Sequence, residues 1–200
     1  TEENGDDVKI AVQMADAVEN ARIWQVRIGC NTLYLLDTNI NENDEEHQLI
    51  TAALYGGDRE RRIQQEILLG IGGIRALRKL GINPSVTHMN EGHSAFLGVE
   101  RIRELVQQHG LSTYQAIQAL IPTNIFTTHT PVPAGNERFS VEVMEKYFPS
   151  IAGGLDIDFD DFMALGRENP EDGMEHFCMT VLALKLSAYN NGVSELHGHV

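Results

Sequence analysis

Cysteine is scarce in this chain. Cys30 and Cys178 are the only two in 200 residues, and they stand far apart. That count excludes a disulfide framework and a CxxC metal pair, and it fits a reducing cytoplasm. Basic residues are also few: 15 Lys and Arg against 29 Asp and Glu, for a net charge of −14. Such a chain lacks the basic face that a nucleic-acid partner requires, and an anionic membrane surface repels it. A small anion stays compatible with it, because Arg59, Arg61 and Arg62 form a local cluster. No apolar run reaches 18 residues, so no membrane span is expected. Nothing at the amino end reads as a signal peptide. An initiating Met is absent and the chain ends on Leu196-His197-Gly198-His199-Val200, so both ends read as cuts within a longer protein.

The hydrophobic fraction of 42% is that of a soluble globular chain. Two hundred residues suffice for one domain-sized core, read here as a single partial domain over 1–200, with 1–7 loose. Residues 8–14, 23–28 and 32–37 read as strands without intervening helices, a meander at one edge, the last of them buried. The stretch 39–46 holds three Asn and four acidic residues and reads as a solvated loop. A long helix is expected over 58–80, with Asp58 as N-cap and Ile63, Ile67, Ile71, Ile74 and Leu77 inward. Gly70, Gly72 and Gly73 inside it read as close helix packing, since no strand precedes them as a phosphate loop requires.

Further strands are expected over 84–89 and 124–128, and helices over 94–109, 112–120, 141–148, 160–166 and 175–190. Strands alternating with helices imply βαβ units and a mostly parallel sheet flanked by helices, an α/β fold.

Two strand ends carry the polar residues: His88-Met89-Asn90-Glu91-Gly92-His93-Ser94 and Phe126-Thr127-Thr128-His129-Thr130-Pro131. In α/β proteins ligands bind outside the carboxyl ends of the strands. Asn90 and Glu91 can hydrogen-bond a polyol, and His93 can donate or accept a proton at neutral pH. The bland alternative is that Asn90 and Glu91 only cap and turn, and that the Thr hydroxyls satisfy backbone groups. A metal set from His88, Glu91, His93 and His129, or from His197 and His199, lacks zinc spacing, and no metal is expected.

Six blocks taken together resemble one family, the α-glucan (glycogen, maltodextrin, starch) phosphorylases of the short bacterial type. They are Leu33-Tyr34-Leu35-Leu36-Asp37-Thr38-Asn39, Leu54-Tyr55-Gly56-Gly57-Asp58-Arg59, Arg62-Ile63-Gln64-Gln65-Glu66, His88 through Phe96, Phe126 through Gly135, and Asn191-Gly192-Val193-Ser194-Glu195-Leu196-His197-Gly198. The resemblance implies a GT-B architecture, with this chain an internal part of the Rossmann-like N-terminal domain. It implies reversible phosphorolysis of the non-reducing end of an α-1,4-glucan to glucose 1-phosphate by a cytoplasmic homodimer. It implies pyridoxal phosphate, whose Schiff-base lysine lies outside this chain, so the fragment alone is expected to be inactive and to hold no catalytic residue.

Residue by residue, the resemblance makes Tyr55 and Asp58 part of a gate loop over the active site, with Arg62 just after it. It makes Asn90, Glu91 and His93 the acceptor-glucan wall, and Asn191 a neighbour of the glucosyl pocket. Ala188 stands where long-form members carry His. Other readings stay open at this point: a nucleotide-sugar GT-B glycosyltransferase, and a glucan-binding module, for which a single Trp gives thin support. A truncated domain is also expected to expose an apolar face.

Overall fold

A computed structural model describes residues 6–53, 58–129 and 136–194. The chain divides into two compact units, Thr1–Asn83 and Pro84–Val200. Each is taken by itself.

The first unit opens with three strands, β1 (Lys9–Gln13), β2 (Val18–Ile28) and β3 (Asn31–Asp37). They pair antiparallel in the order β1-β2-β3, the expected meander. Gly29, at φ +62°, supplies the left-handed residue that the two-residue turn between Ile28 and Asn31 needs. Strand alternation gives this sheet two faces. Ile10, Val12 and Ala21 are buried on the core side.

On the outer side Trp24 pairs with Leu35 and Val26 with Leu33, and all four are exposed. The burial expected for β3 is therefore corrected: its leucines at 33 and 35 face solvent. Trp24 is held at its polar end, where Nε1 donates to Asp37 Oδ2 (3.0 Å) and the Arg22 guanidinium lies over the ring. Asp7 pairs with Arg22 at 3.1 Å.

The loop 39–46 does more than connect. Asn43 is buried and bridges two segments, accepting from Asn20 N–H and donating through Nδ2 to the carbonyls of Asn20 and Thr38. Asp44 caps the short helix α1 (Glu45–Gln48).

The long helix is present in three parts: α2 (Arg59–Ile67), a π-helical turn (Leu68–Gly72) and α3 (Gly73–Lys79). Ile63, Ile67, Ile71 and Ile74 are all buried, as their spacing predicts. A Cβ at Gly72 would meet Ile10 Cδ1, Val12 Cγ2 and Leu68 Cδ1, each at 3.2 Å. Close helix-to-sheet packing thus explains Gly72. It does not explain Gly73, where a Cβ would meet nothing within 4 Å.

The second unit carries the parallel sheet. β4 (Thr87–Asn90), β5 (Asn124–Thr128) and β8 (Tyr189–Gly192) pair in parallel in the order β4-β5-β8. Helices α4 (Phe96–His109) and α5 (Thr113–Leu120) make the crossover from β4 to β5. Gly110, in the left-handed conformation, ends α4, and a Ser112–Gln115 capping box starts α5. At the amino ends of the strands, Thr87 Oγ1 donates to Asn124 Oδ1 (2.5 Å), and Arg101 Nη1 donates to both oxygens. Asn124 Nδ2 donates to the carbonyl of Leu186 (2.8 Å). This buried knot sets the start of the sheet.

The rest of the unit is α6 (Val141–Ala152), α7 (Phe159–Leu165), α8 (Met179–Lys185) and a two-residue antiparallel pair, β6 (Arg138–Phe139) with β7 (Phe177–Cys178). α6 runs through Pro149 to Ala152, longer than expected. Arg103 answers the carbonyls at its end, donating to Gly153 O, Ser150 O and Ile151 O. Phe177 stacks on Phe162, centroids 5.3 Å apart, and on Phe96.

The single helix expected over 175–190 is corrected to a strand, a helix and a strand. Phe177 and Cys178 pair with β6, and Tyr189–Gly192 is drawn into the sheet as β8. The parallel sheet is as expected, while the meander, expected at one edge of it, is a sheet of its own. Among the described residues three of the five strand pairings are antiparallel. The α/β assignment holds, with helices flanking the parallel sheet.

Candidate functional site

Three parallel strands stop side by side, and their register puts Asn90 opposite Thr127 and Thr127 opposite Asn191. The three residues form one row at the carboxyl ends of the strands, where α/β folds bind ligands. Thr127 is buried, while Asn90 and Asn191 are exposed.

The centre of the row is the Thr127 hydroxyl. It donates to Asn191 Oδ1 at 2.9 Å and lies 2.7 Å from His88 Nε2. A hydroxyl has one hydrogen and two lone pairs. With the hydrogen on Asn191, the His88 contact places the donor on Nε2 of the imidazole. Asn191 Nδ2 donates to Gly192 O (3.2 Å), which fixes the amide with its oxygen toward Thr127.

Beyond the row the chain continues the ladder on both sides. Glu91 N–H donates to Thr127 O (2.9 Å) and Val193 N–H to Thr128 O (3.0 Å). Glu91 has φ 65° and ψ 172°, a region that residues other than glycine rarely adopt, and it is the sole non-glycine with positive φ among the described residues. Its carboxylate accepts the main-chain N–H of His129. Strain of this kind clusters at functional sites.

The next residues, Gly92–Ser94, form a 3-10 turn that leads into α4 and carries His93, half-buried. No side chain caps the start of α4. A Cβ at Gly92 would meet Thr180 N at 2.9 Å and Met179 C at 3.0 Å, so this turn rests directly on the backbone at the start of α8.

The expected site residues fall in two groups. Asn90, Glu91, His93 and Asn191 belong to the second unit, and the strand ends bring Asn90, Glu91 and Asn191 together. Asp58 and Arg62 belong to the first. Asp58 is an N-cap, accepting Arg61 N–H at 3.0 Å. Arg62 turns along its own helix to Gln65 Oε1 and Glu66 Oε1. Tyr55 and the segment 130–135 lie outside the described residues. Ala188 is exposed, immediately before β8. His88, weighed in the sequence only as a metal ligand, and Thr127, weighed there as part of a hydroxyl-rich strand end, meet each other at the centre of the row. The signal for this was there, since both follow strand alternation toward the ends of their strands.

The four lysines are divided between the two units, Lys9 and Lys79 in the first and Lys146 and Lys185 in the second. Lys9, on β1, pairs with Glu42. Lys79 is in the last turn of α3. Lys146, on α6, lies over the ring of Tyr147. Lys185 donates to the carbonyls of Ala164 and Arg167, both at 2.7 Å, and burial lowers its pKa. No group of three or more His, Cys, Asp and Glu placed to hold a metal occurs among the described residues, and His197 and His199 lie outside them. No helix among the described residues is long and apolar enough to cross a membrane.

No protein-family model matches the chain. Individual proteins do. A glycogen phosphorylase of Mycobacterium tuberculosis (strain CDC 1551 / Oshkosh) is 45% identical over 100% of the chain, which covers 24% of that protein. The maltodextrin phosphorylase of Thermococcus litoralis is 43% identical over 100% of the chain and 23% of its own length. A glycogen phosphorylase of Aquifex aeolicus is 35% identical over 96% of the chain and 28% of its own length. The chain spans about a quarter of the length of these relatives. Similarity that runs through the whole chain, polar strand ends included, makes it a fragment of a bacterial-type phosphorylase.

Proposed function

We propose that the complete protein is an α-glucan phosphorylase, cleaving the non-reducing end of an α-1,4-glucan with inorganic phosphate to give glucose 1-phosphate. The observation that carries this reading is identity of 43–45% along the entire chain to proteins named glycogen and maltodextrin phosphorylase. The arrangement is a GT-B enzyme in which this chain is part of the N-terminal domain, working as a cytoplasmic homodimer.

The part played by this chain is recognition of the sugar. Asn90, Glu91 and His93 line the glucan on one side, and Asn191 approaches the glucosyl unit from β8, on the far side of β5. Amide, carboxylate and imidazole groups are the donors and acceptors that a polyol needs. The resemblance assigns Asp58, Arg62 and Tyr55 to a gate segment. Pyridoxal phosphate supplies the proton-transferring phosphate, and its lysine belongs to the remainder of the polypeptide. The isolated chain is then inactive, because catalysis requires groups held by both parts.

A nucleotide-sugar glycosyltransferase on the same fold is the alternative, and the strand-end residues with their phosphorylase relatives favour the first reading. His93→Ala in the complete enzyme tests it. The glucan KM rises and the phosphate KM stays unchanged if His93 faces the glucan. Unchanged glucan kinetics remove His93 from the site.

A further inference from the structure

We infer that Thr127 is a positioning residue for substrate, its hydroxyl setting the rotation of the Asn191 amide while His88 holds that hydroxyl from the other side. This rests on the reading of Asn191 as a sugar contact, and it adds two residues to that reading.

The inference follows from the geometry of three adjacent strands. Thr127 is on the central strand, between His88 on β4 and Asn191 on β8, at 2.7 and 2.9 Å. Asn191 is exposed, and its amide is held by hydrogen bonds, from Thr127 to Oδ1 and from Nδ2 to Gly192 O. A lone exposed amide samples several rotamers, and ordering it on a ligand costs binding free energy. The Thr127 hydroxyl removes that freedom in advance. Thr127 is buried, and its branched side chain is stiff about χ1, so it is a fixed point for the amide.

The direction of the hydrogen bonds completes the device. The Thr127 hydrogen is committed to Asn191 Oδ1, because the Asn191 Nδ2 group is turned to Gly192 O. With its hydrogen on Asn191, the hydroxyl offers a lone pair to His88 at 2.7 Å, a contact that suits the tautomer protonated on Nε2. His88 and Thr127 therefore act through Asn191 and need not touch the sugar themselves.

The test uses the complete enzyme with glucan and phosphate as separate variable substrates. Thr127→Val keeps the shape and removes the hydroxyl. It raises the glucan KM about fivefold to tenfold, the range of one neutral hydrogen bond, and leaves the phosphate KM unchanged. Thr127→Ser restores the glucan KM. In Asn191→Ala, adding Thr127→Val has no further effect on glucan KM, because the positioned group is already gone. His88→Leu gives a smaller rise of the same kind, and His88→Gln, which keeps a donor, gives less.

A glucan KM unmoved by Thr127→Val, or a full second loss in the double variant, overturns the inference. If Thr127→Val fails to fold, Thr127→Ser and His88→Leu decide the matter: no rise in glucan KM for His88→Leu overturns it. A different result separates the underlying reading. If Asn191→Ala itself leaves glucan KM unchanged, the placement of Asn191 at the sugar is wrong, and the inference falls with it.

Discussion

The main-chain N–H of His129 donates to the Glu91 carboxylate, joining the residue just past β5 to the residue just past β4. The bond crosses the end of the parallel sheet and holds Glu91 in a backbone conformation, φ 65° and ψ 172°, that costs about 1–3 kcal/mol for a residue with a Cβ. A carboxylate kept there against its own backbone preference is placed by function or by this bond.

The two contributions can be separated. Glu91→Ala keeps the strain and loses a charged hydrogen bond, a destabilisation of about 1.5–3 kcal/mol. Glu91→Gly loses the same bond and relieves the strain, so its stability falls less. Urea midpoints of the two variants should differ in that order, and equal midpoints would show that the backbone at Glu91 is unstrained.

Gly92 and Gly98 respond differently to the same added methyl. At Gly92 the Cβ meets backbone of Met179 and Thr180 at 2.9–3.0 Å, which cannot move without shifting α8. Gly92→Ala is expected to cost about 1–3 kcal/mol. At Gly98 the Cβ meets Leu186 Cδ1 at 2.6 Å, the far end of a flexible side chain. Gly98→Ala should cost less, and thermal unfolding of the pair measures the difference.

Arg103 and Glu100 are buried partners on α4, and Arg103 also reaches the carbonyls at the end of α6. Arg103→Met takes the cation from Glu100 and the donors from three carbonyls of the segment 150–153, an expected loss of about 3–5 kcal/mol. Glu100→Gln in the same background should recover part of it. No recovery would show that the carbonyl bonds carry the whole effect.

Glu19 gives a pH dependence of definite sign. Burial raises its pKa from the ordinary 4.5, with His47 opposing and Asp44 adding to the shift. A carboxylate whose folded pKa is raised binds its proton more tightly in the native state. Its contribution is therefore present at low pH and is lost as pH rises from about 4.5 through the raised value. Glu19→Gln lacks that loss. The stability of the variant relative to the parent should grow between pH 4 and pH 7 in denaturant titrations. A gap that is flat or shrinks over that range contradicts the assignment.

Local patterns carried much of this fold. The isoleucine spacing at 63, 67, 71 and 74 gave the helix and its buried face, and the β1–β3 meander followed from alternation and the lack of helical spacing. The run from Phe177 to Leu186 misled because its apolar spacing suits a helix throughout. The strand character of Phe177–Cys178 and Tyr189–Gly192 comes from partners far away in sequence, β6 and β5. Leu33 and Leu35 were read as buried because apolar residues usually are, and which side of a sheet is covered is a tertiary fact. Asn43 looked like loop polarity, and only the fold shows it bridging Asn20 and Thr38.

At the candidate site, the polar strand ends of β4 and β5 were legible from the abrupt change of composition. The strand that brings Asn191 to them starts within the last two residues of the helix expected over 175–190. Its place next to Thr127 depends on register, which a single sequence does not state.

The central claim is tested by assaying the complete polypeptide, loaded with pyridoxal phosphate, for glucose 1-phosphate formed from an α-1,4-glucan and inorganic phosphate. The account predicts product that requires both substrates and the cofactor. Absence of glucose 1-phosphate from a folded, cofactor-loaded protein, or transfer only from a nucleotide sugar, would contradict it.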